Sequence, residues 1–195
     1  MSPYLSMAAF ALAASITPGP VNLVALNGGA RFGFRASLRH VSGATVGFTL
    51  LLLLVGLGLH ELLVRAPVLL TGIQWGGIAF LLYMAWRLAL DDGRLGSDRP
   101  VARPSFRTGA LMQWLNPKAW LASVAGMGLF VADGDLARIG LFAALYFIIC
   151  YLSVACWGWA GSLLRRHLEH PARVRLLNRT MAVLLVGSAL YLLEG

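Results

Sequence analysis

Charge is scarce in this chain. Only 12% of its 195 residues are charged, against about a quarter in an ordinary soluble domain, while 58% are hydrophobic and the mean hydropathy is +0.74. That balance excludes a soluble globular fold and implies a membrane protein. Acidic residues are the rarest charges, eight in all, and like the four histidines they fall at the ends of apolar runs or between them. No two of these groups make a metal set or a base–nucleophile pair inside an apolar run, so neither catalysis nor a metal is expected. A glycine-rich phosphate loop ending in Lys-Ser or Lys-Thr is also missing, which argues against a nucleotide as cofactor or energy source. Cysteine is limited to Cys150 and Cys156, six positions apart in one apolar run. At about 100° per residue they face different sides of a helix, which argues against a local disulfide and leaves them as small apolar filler. No Lys or Arg precedes Arg31, and the first apolar stretch is too long for a cleaved signal, so it reads as a retained span.

What the chain does have is apolar length. Six stretches can cross about 30 Å of hydrocarbon: roughly Tyr4–Gly29, Val41–Leu63, Pro67–Leu90, Thr108–Val131, Leu136–Leu164 and Val174–Leu193. The expected fold is therefore an all-α membrane protein of six transmembrane helices in one domain, residues 1–195. A polar stretch over 91–106 divides it into repeat one, about 1–90, and repeat two, about 107–195. Three spans per half is an odd number, so related halves are inverted with respect to the membrane.

The basic residues set the orientation. Arg31, Arg35 and Arg39 fall in the first connection, Arg87, Arg94, Arg99, Arg103 and Arg107 in the third, and Arg165, Arg166, Arg173, Arg175 and Arg179 in the fifth. Arg65 and Arg138 alone lie on the opposite side. The positive-inside bias puts the linker in the cytoplasm and both termini in the periplasm. A formal charge of +8 confined to short connections reads as topology, which argues against nucleic acid as a partner.

Three prolines break this pattern. Pro18 and Pro20 flank Gly19 in the first span, and Pro117 follows Asn116 in the fourth. Proline lacks an amide hydrogen and clashes with the preceding turn, so each motif interrupts a helix. In lipid, the freed backbone groups survive only against protein or a polar cavity, where a solute can also bind. Pro18 lies thirteen residues before Arg31, and Pro117 lies ten after Arg107. At about 1.5 Å per residue, both breaks come out roughly 15–20 Å from the arginine-rich face, near the midplane.

Lys118, next to the second break, is the one charge deep within a span. A central lysine costs about 2.5–3.5 kcal/mol on insertion scales, so it should face the bundle interior. It can pair with an anionic group of a substrate, or cap carbonyls freed by Pro117; the two roles are compatible. Asn22, Gln113 and Asn116 add amides beside the breaks, and Asn27, nearer the first connection, reads as a backbone partner. The candidate substrate-binding set is Pro18, Gly19, Pro20, Asn22, Gln113, Asn116, Pro117 and Lys118. Gly43 and Gly47, like Gly72 and Gly76, form small-xxx-small pairs that let helices pack closely. Trp75, Trp86, Tyr4 and Tyr191 read as interfacial anchors.

The stretch TPGPVNLVALNGGARFGFRASLRHVSGATVGF and the later GALMQWLNPKAWLASVAG resemble the LysE/RhtB family of amino-acid exporters. Pro18-Gly19-Pro20 and Asn116-Pro117-Lys118 match its two broken motifs. Gly33, Gly43 and Gly47 match its glycine series, with Ala36 replacing a frequent glycine, and Asn178 and Gly187 fit its last helix. The resemblance implies a bacterial inner-membrane exporter of amino acids or close derivatives, embedded in lipid, driven by the proton motive force and homo-oligomeric, with a dimer the simplest assembly. It departs at Leu152 and Ser153, near where many relatives carry an acidic residue. The alternatives are export of another small solute or a cation, a non-transporting accessory subunit, and transmembrane thiol electron transfer. Cation export fits poorly with Lys118, and thiol chemistry with two cysteines in one span.

Overall fold

A computed structural model describes residues 2–59, 67–90, 103–131, 135–164 and 171–194. All regular structure among them is helical: α1 Pro3–Ile16, α2 Pro20–Phe32, α3 Phe34–Leu54 running into a π-helical turn Val55–Leu59, α4 Pro67–Ala89, α5 Phe106–Trp114, α6 Pro117–Phe130, α7 Leu136–Leu164 and α8 Pro171–Glu194. Each predicted apolar stretch is occupied by these helices, and the first and fourth are each split in two at their prolines. Among the described residues, two helices are long and apolar enough to cross a membrane, Phe34–Gly58 and Leu136–Leu164. The bent pair α1–α2, with 61° between its halves, makes a third if taken as one span.

The first connection is shorter than expected. α2 runs to Phe32 and α3 starts at Phe34, so Arg31, Arg35 and Arg39 sit on helix ends and not in a loop. Gly33 alone makes the turn, with φ +85° and its N–H donating to the Gly29 carbonyl at 2.9 Å. That left-handed conformation is one few side chains tolerate. Most of the 91–106 linker, and with it Arg94 and Arg99, lies outside the described residues, as do Arg65, Arg165, Arg166, His60, His167 and His170.

Helix partners follow the small residues. α3 packs most closely on α5, α2 on α7, and α4 on α8. A Cβ at Gly43 would stand 1.9 Å from the Phe106 carbonyl oxygen, and one at Gly47 would stand 2.8 Å from Ala110. Gly72 and Gly76 make no such approach: the nearest neighbour of either is Leu115 Cδ2, 3.9 Å from a Gly76 Cβ. The close contact on α4 is one residue further on, where a Gly77 Cβ would stand 2.5 Å from the Leu115 carbonyl oxygen and 3.2 Å from Pro117. α4 therefore seats its glycine against the second break. Aromatic packing fills the centre, with the Phe48 and Tyr146 rings 4.5 Å apart. Tyr4, Trp75 and Trp86 are exposed, as interfacial anchors require; the side chain of Tyr191 lies outside the described residues.

Candidate functional site

The first break leaves carbonyls at the end of α1 without helical partners, and side chains supply donors to those of Ala13, Ser15, Ile16 and Thr17. Thr17 Oγ1 turns back to the Ala13 carbonyl. Asn22 Nδ2 donates to the Ser15 and Thr17 carbonyls, both at 2.9 Å. Trp157 Nε1, from α7, donates to the Ile16 carbonyl at 3.0 Å. Lys118 Nζ, from the other half of the chain, donates to the Thr17 carbonyl at 2.8 Å.

The second break is closed more locally. Asn116 caps α6 through its side-chain oxygen, which accepts from the Lys118 amide at 3.2 Å, and Trp120 Nε1 donates to the Trp114 carbonyl at 2.8 Å. Asn116 Nδ2 faces Gln113 Oε1 at 3.5 Å. Lys118 thus caps a carbonyl of the opposite break and not one freed by Pro117. Replacing Trp157 with phenylalanine should keep the ring packing but orphan the Ile16 carbonyl. We expect a loss of about 1–2 kcal/mol, read as a lower melting temperature of the detergent-purified protein.

Between the breaks lies a cavity of about 40 Å³. Gly19, Asn22, Gln113, Asn116 and Lys118 line it, together with Ser15, Phe48, Tyr146 and Cys150. The hydroxyls of Ser15 and Thr45 lie beside the Cys150 thiol. Five of the eight candidate residues are therefore brought together on one cavity. The prolines shape it from outside: Pro20 is buried at the start of α2, Pro117 lies toward Gly77, and Pro18 is exposed. No side chain caps the first turn of α2, whose Val21 and Asn22 also line the cavity. That helix end presents a positive dipole to it, close to the Lys118 ammonium.

Asn27 stands apart, donating to Asn178 Oδ1 at 2.8 Å to tie α2 to α8. Leu152 is 59% exposed and Ser153 is buried. Among the described residues no group of histidine, cysteine or acidic side chains could hold a metal. The sequence reading missed Trp157 and Trp120 as caps, and also the Phe48–Tyr146 wall. It left His40 at a span end, whereas its side chain is fully buried, with Nε2–H donating to the Val21 carbonyl at 3.1 Å. An indole 141 positions from its carbonyl leaves no local signal.

A cavity enclosed between two broken apolar helices is the arrangement in which an integral membrane transporter holds its solute. Residues 12–195 match the family described as LysE type translocator. The cysteine/O-acetylserine efflux proteins of Salmonella choleraesuis (strain SC-B67) and Shigella flexneri are each 32% identical over 195 residues, covering 97% of both chains. That of Escherichia coli (strain K12) is 32% identical over 184 residues, covering 92% of both. No solved structure matches this chain. The chain belongs to the LysE type translocator family.

Proposed function

We propose that the chain exports small polar amino acids or close derivatives across the bacterial inner membrane, and that the cavity between the two breaks is the substrate site. One contact carries this reading: the Lys118 ammonium, on one broken helix, donates at 2.8 Å to the Thr17 carbonyl of the other. A substrate carboxylate is a stronger partner for that ammonium than a neutral carbonyl. Arriving there, it draws Lys118 off Thr17, gains the α2 dipole, and frees the two halves to move. The side-chain oxygen of Asn22, the amides of Gln113 and Asn116 and the Tyr146 hydroxyl are then available to the polar remainder of the solute. At about 40 Å³ the cavity holds no more than a few waters, at roughly 10–15 Å³ each, so the walls must part before an amino acid fits.

In this reading α4, the α5–α6 pair and α8 also cross the membrane, giving six spans in a single domain with both termini periplasmic. Repeat one holds α1 to α4, repeat two holds α5 to α8, and 91–106 is the cytoplasmic linker. The packing supports an inverted repeat. Exchanging the halves in chain order turns the α1–α7 contact into α5–α3 and leaves α3–α7 and α4–α8 as they are, and all are major contacts. Alternating access is then a rocking of the halves about the breaks, powered by the proton motive force, in a lipid-embedded homo-oligomer, a dimer in its simplest form.

The relatives' names make cysteine and O-acetylserine the first substrates to try. In proteoliposomes, counterflow of a labelled amino-acid panel should reveal saturable exchange of these or similarly small solutes. Export should quicken when a pH gradient drives protons the other way. No exchange of any amino acid would refute the substrate class, and flux indifferent to the gradient would replace proton coupling with facilitated efflux.

A further inference from the structure

A second cavity, of about 400 Å³, lies on the other side of one turn of α2. Val21 and Asn22 face the midplane cavity, Leu23 and Val24 the larger one. α5 divides in the same way, with Gln113 on the first and Leu111 on the second. His40 forms part of the partition. Its Nε2–H is committed to the Val21 carbonyl, it lines the larger chamber, and its buried Nδ1 has no hydrogen-bond partner among the described residues.

The chamber wall also carries the guanidinium groups of Arg31, Arg87, Arg103 and Arg107 and, among the described residues, no acidic one. Guanidinium forks match a carboxylate in two parallel hydrogen bonds, and they stay charged at any physiological pH. A cleft lined by one sign of charge also concentrates counter-ions and speeds their arrival. The size is that of a small-molecule pocket, commonly about 300–1,000 Å³, whereas the midplane cavity is far below it.

We propose that this arginine-lined chamber is a separate carboxylate-binding site, which captures the transported solute before it passes the His40–Val21 partition into the midplane cavity. The proposal rests on the transport reading for its role, but not for the binding itself. Arg103 and Arg107, which both line the chamber at the start of α5, hold the carboxylate.

Binding to the purified full-length protein decides the matter. In a Lys118→Ala background, which disables the midplane cavity, labelled cysteine should still bind in phosphatidylcholine nanodiscs, more weakly as salt rises. Adding Arg103→Gln and Arg107→Gln should weaken that binding at least about tenfold, the worth of a charge-assisted pair. Arg103→Lys with Arg107→Lys, which keeps net charge and orientation but removes the fork, should fall between. The amide of the same amino acid should bind wild type and the glutamine pair alike. Equal binding by the pair and its parent would overturn the chamber, as would wild-type binding that vanishes once phosphatidylglycerol is present, since a lipid headgroup then occupies it. In proteoliposomes the glutamine pair should raise KM from the arginine-rich face alone, with kcat little changed. Absent wild-type flux defeats the transport reading, whereas wild-type flux with an unchanged KM in the pair defeats the capture role.

Discussion

Replacing Lys118 with methionine should reduce efflux at least about a hundredfold, while the protein reaches the membrane in normal amount. A hydrogen bond to a charged group contributes about 1.5–3 kcal/mol, and each 1.4 kcal/mol is about a factor of ten, so one lost carboxylate contact approaches that figure unaided. The fold should survive because the Thr17 carbonyl keeps its second donor, Asn22 Nδ2 at 2.9 Å. Methionine also retains the apolar stem while removing the cost of a charge in the bilayer. Loss of transport without loss of protein would therefore separate binding from folding. Pro117→Ala approaches the same site through the backbone. It restores an amide and lifts a helix interruption that costs about 3 kcal/mol or more, which favours running α5 and α6 together. It should abolish efflux while preserving or raising the melting temperature. Wild-type efflux rates in both variants, measured on cells preloaded with labelled cysteine, would remove the site from the two breaks.

The helices were legible in the sequence because lipid leaves so little choice. An apolar run of some twenty residues must be a helix, and a Pro-Gly-Pro or Asn-Pro inside one must break it. That reasoning located α1 through α8 to within a few residues, except the start of α3. There the reading was misled by Arg35, Arg39 and His40, which look like loop residues but occupy a helix that reaches back to the Gly33 turn. Partner choice was much less legible. A small-xxx-small pair says that a backbone comes close, not whose, and so Gly43 and Gly47 were read as packing residues without α5 being named. For α4 the spacing pointed to Gly72 and Gly76, while the contact is made by Gly77, because the second break presents its free Leu115 carbonyl at that level.

The site divides along the same line. Lys118, Asn22, Gln113, Asn116 and Gly19 stood out as polar or flexible residues in apolar surroundings. Tyr146, Phe48 and Trp157 did not, since aromatics are common in spans and nothing local marks one that reaches across the bundle. The cross-break contact between Lys118 and Thr17 spans 101 positions and exists only once the halves are folded together. That is why the sequence suggests only the carbonyls freed by Pro117 as structural partners for Lys118, beside its role toward an anionic substrate.

Gly161→Val should be the most damaging substitution away from the cavity. A Cβ at Gly161 would lie 1.9 Å from the Leu26 carbonyl oxygen and 3.0 Å from the Ala30 amide, where ordinary contact starts at 3.4 Å. Both obstacles are backbone, so no side chain can swing aside. α2 and α7 must separate by more than an ångström. Overpacking of this kind costs about 1–3 kcal/mol and often more where rigid helices meet, and here it also parts the wall that carries Asn22 and Cys150. The expected result is a sharp fall in the fraction of detergent-extracted protein that elutes as one species, with a melting temperature lowered by many degrees. Gly140→Val, on the same helix but with nothing within 4 Å of its Cβ, should behave as wild type. Gly29, whose Cβ would stand 1.9 Å from the Gly158 carbonyl oxygen, presses on the same interface from the other side. Once one substitution has forced the helices apart, the second meets less resistance, so the Gly29→Val, Gly161→Val double variant should lose less than the two single losses combined. Matching melting temperatures for Gly161→Val and Gly140→Val would mean that α2 and α7 do not meet backbone to backbone, and the packing that holds the first break against α7 would have to be redrawn.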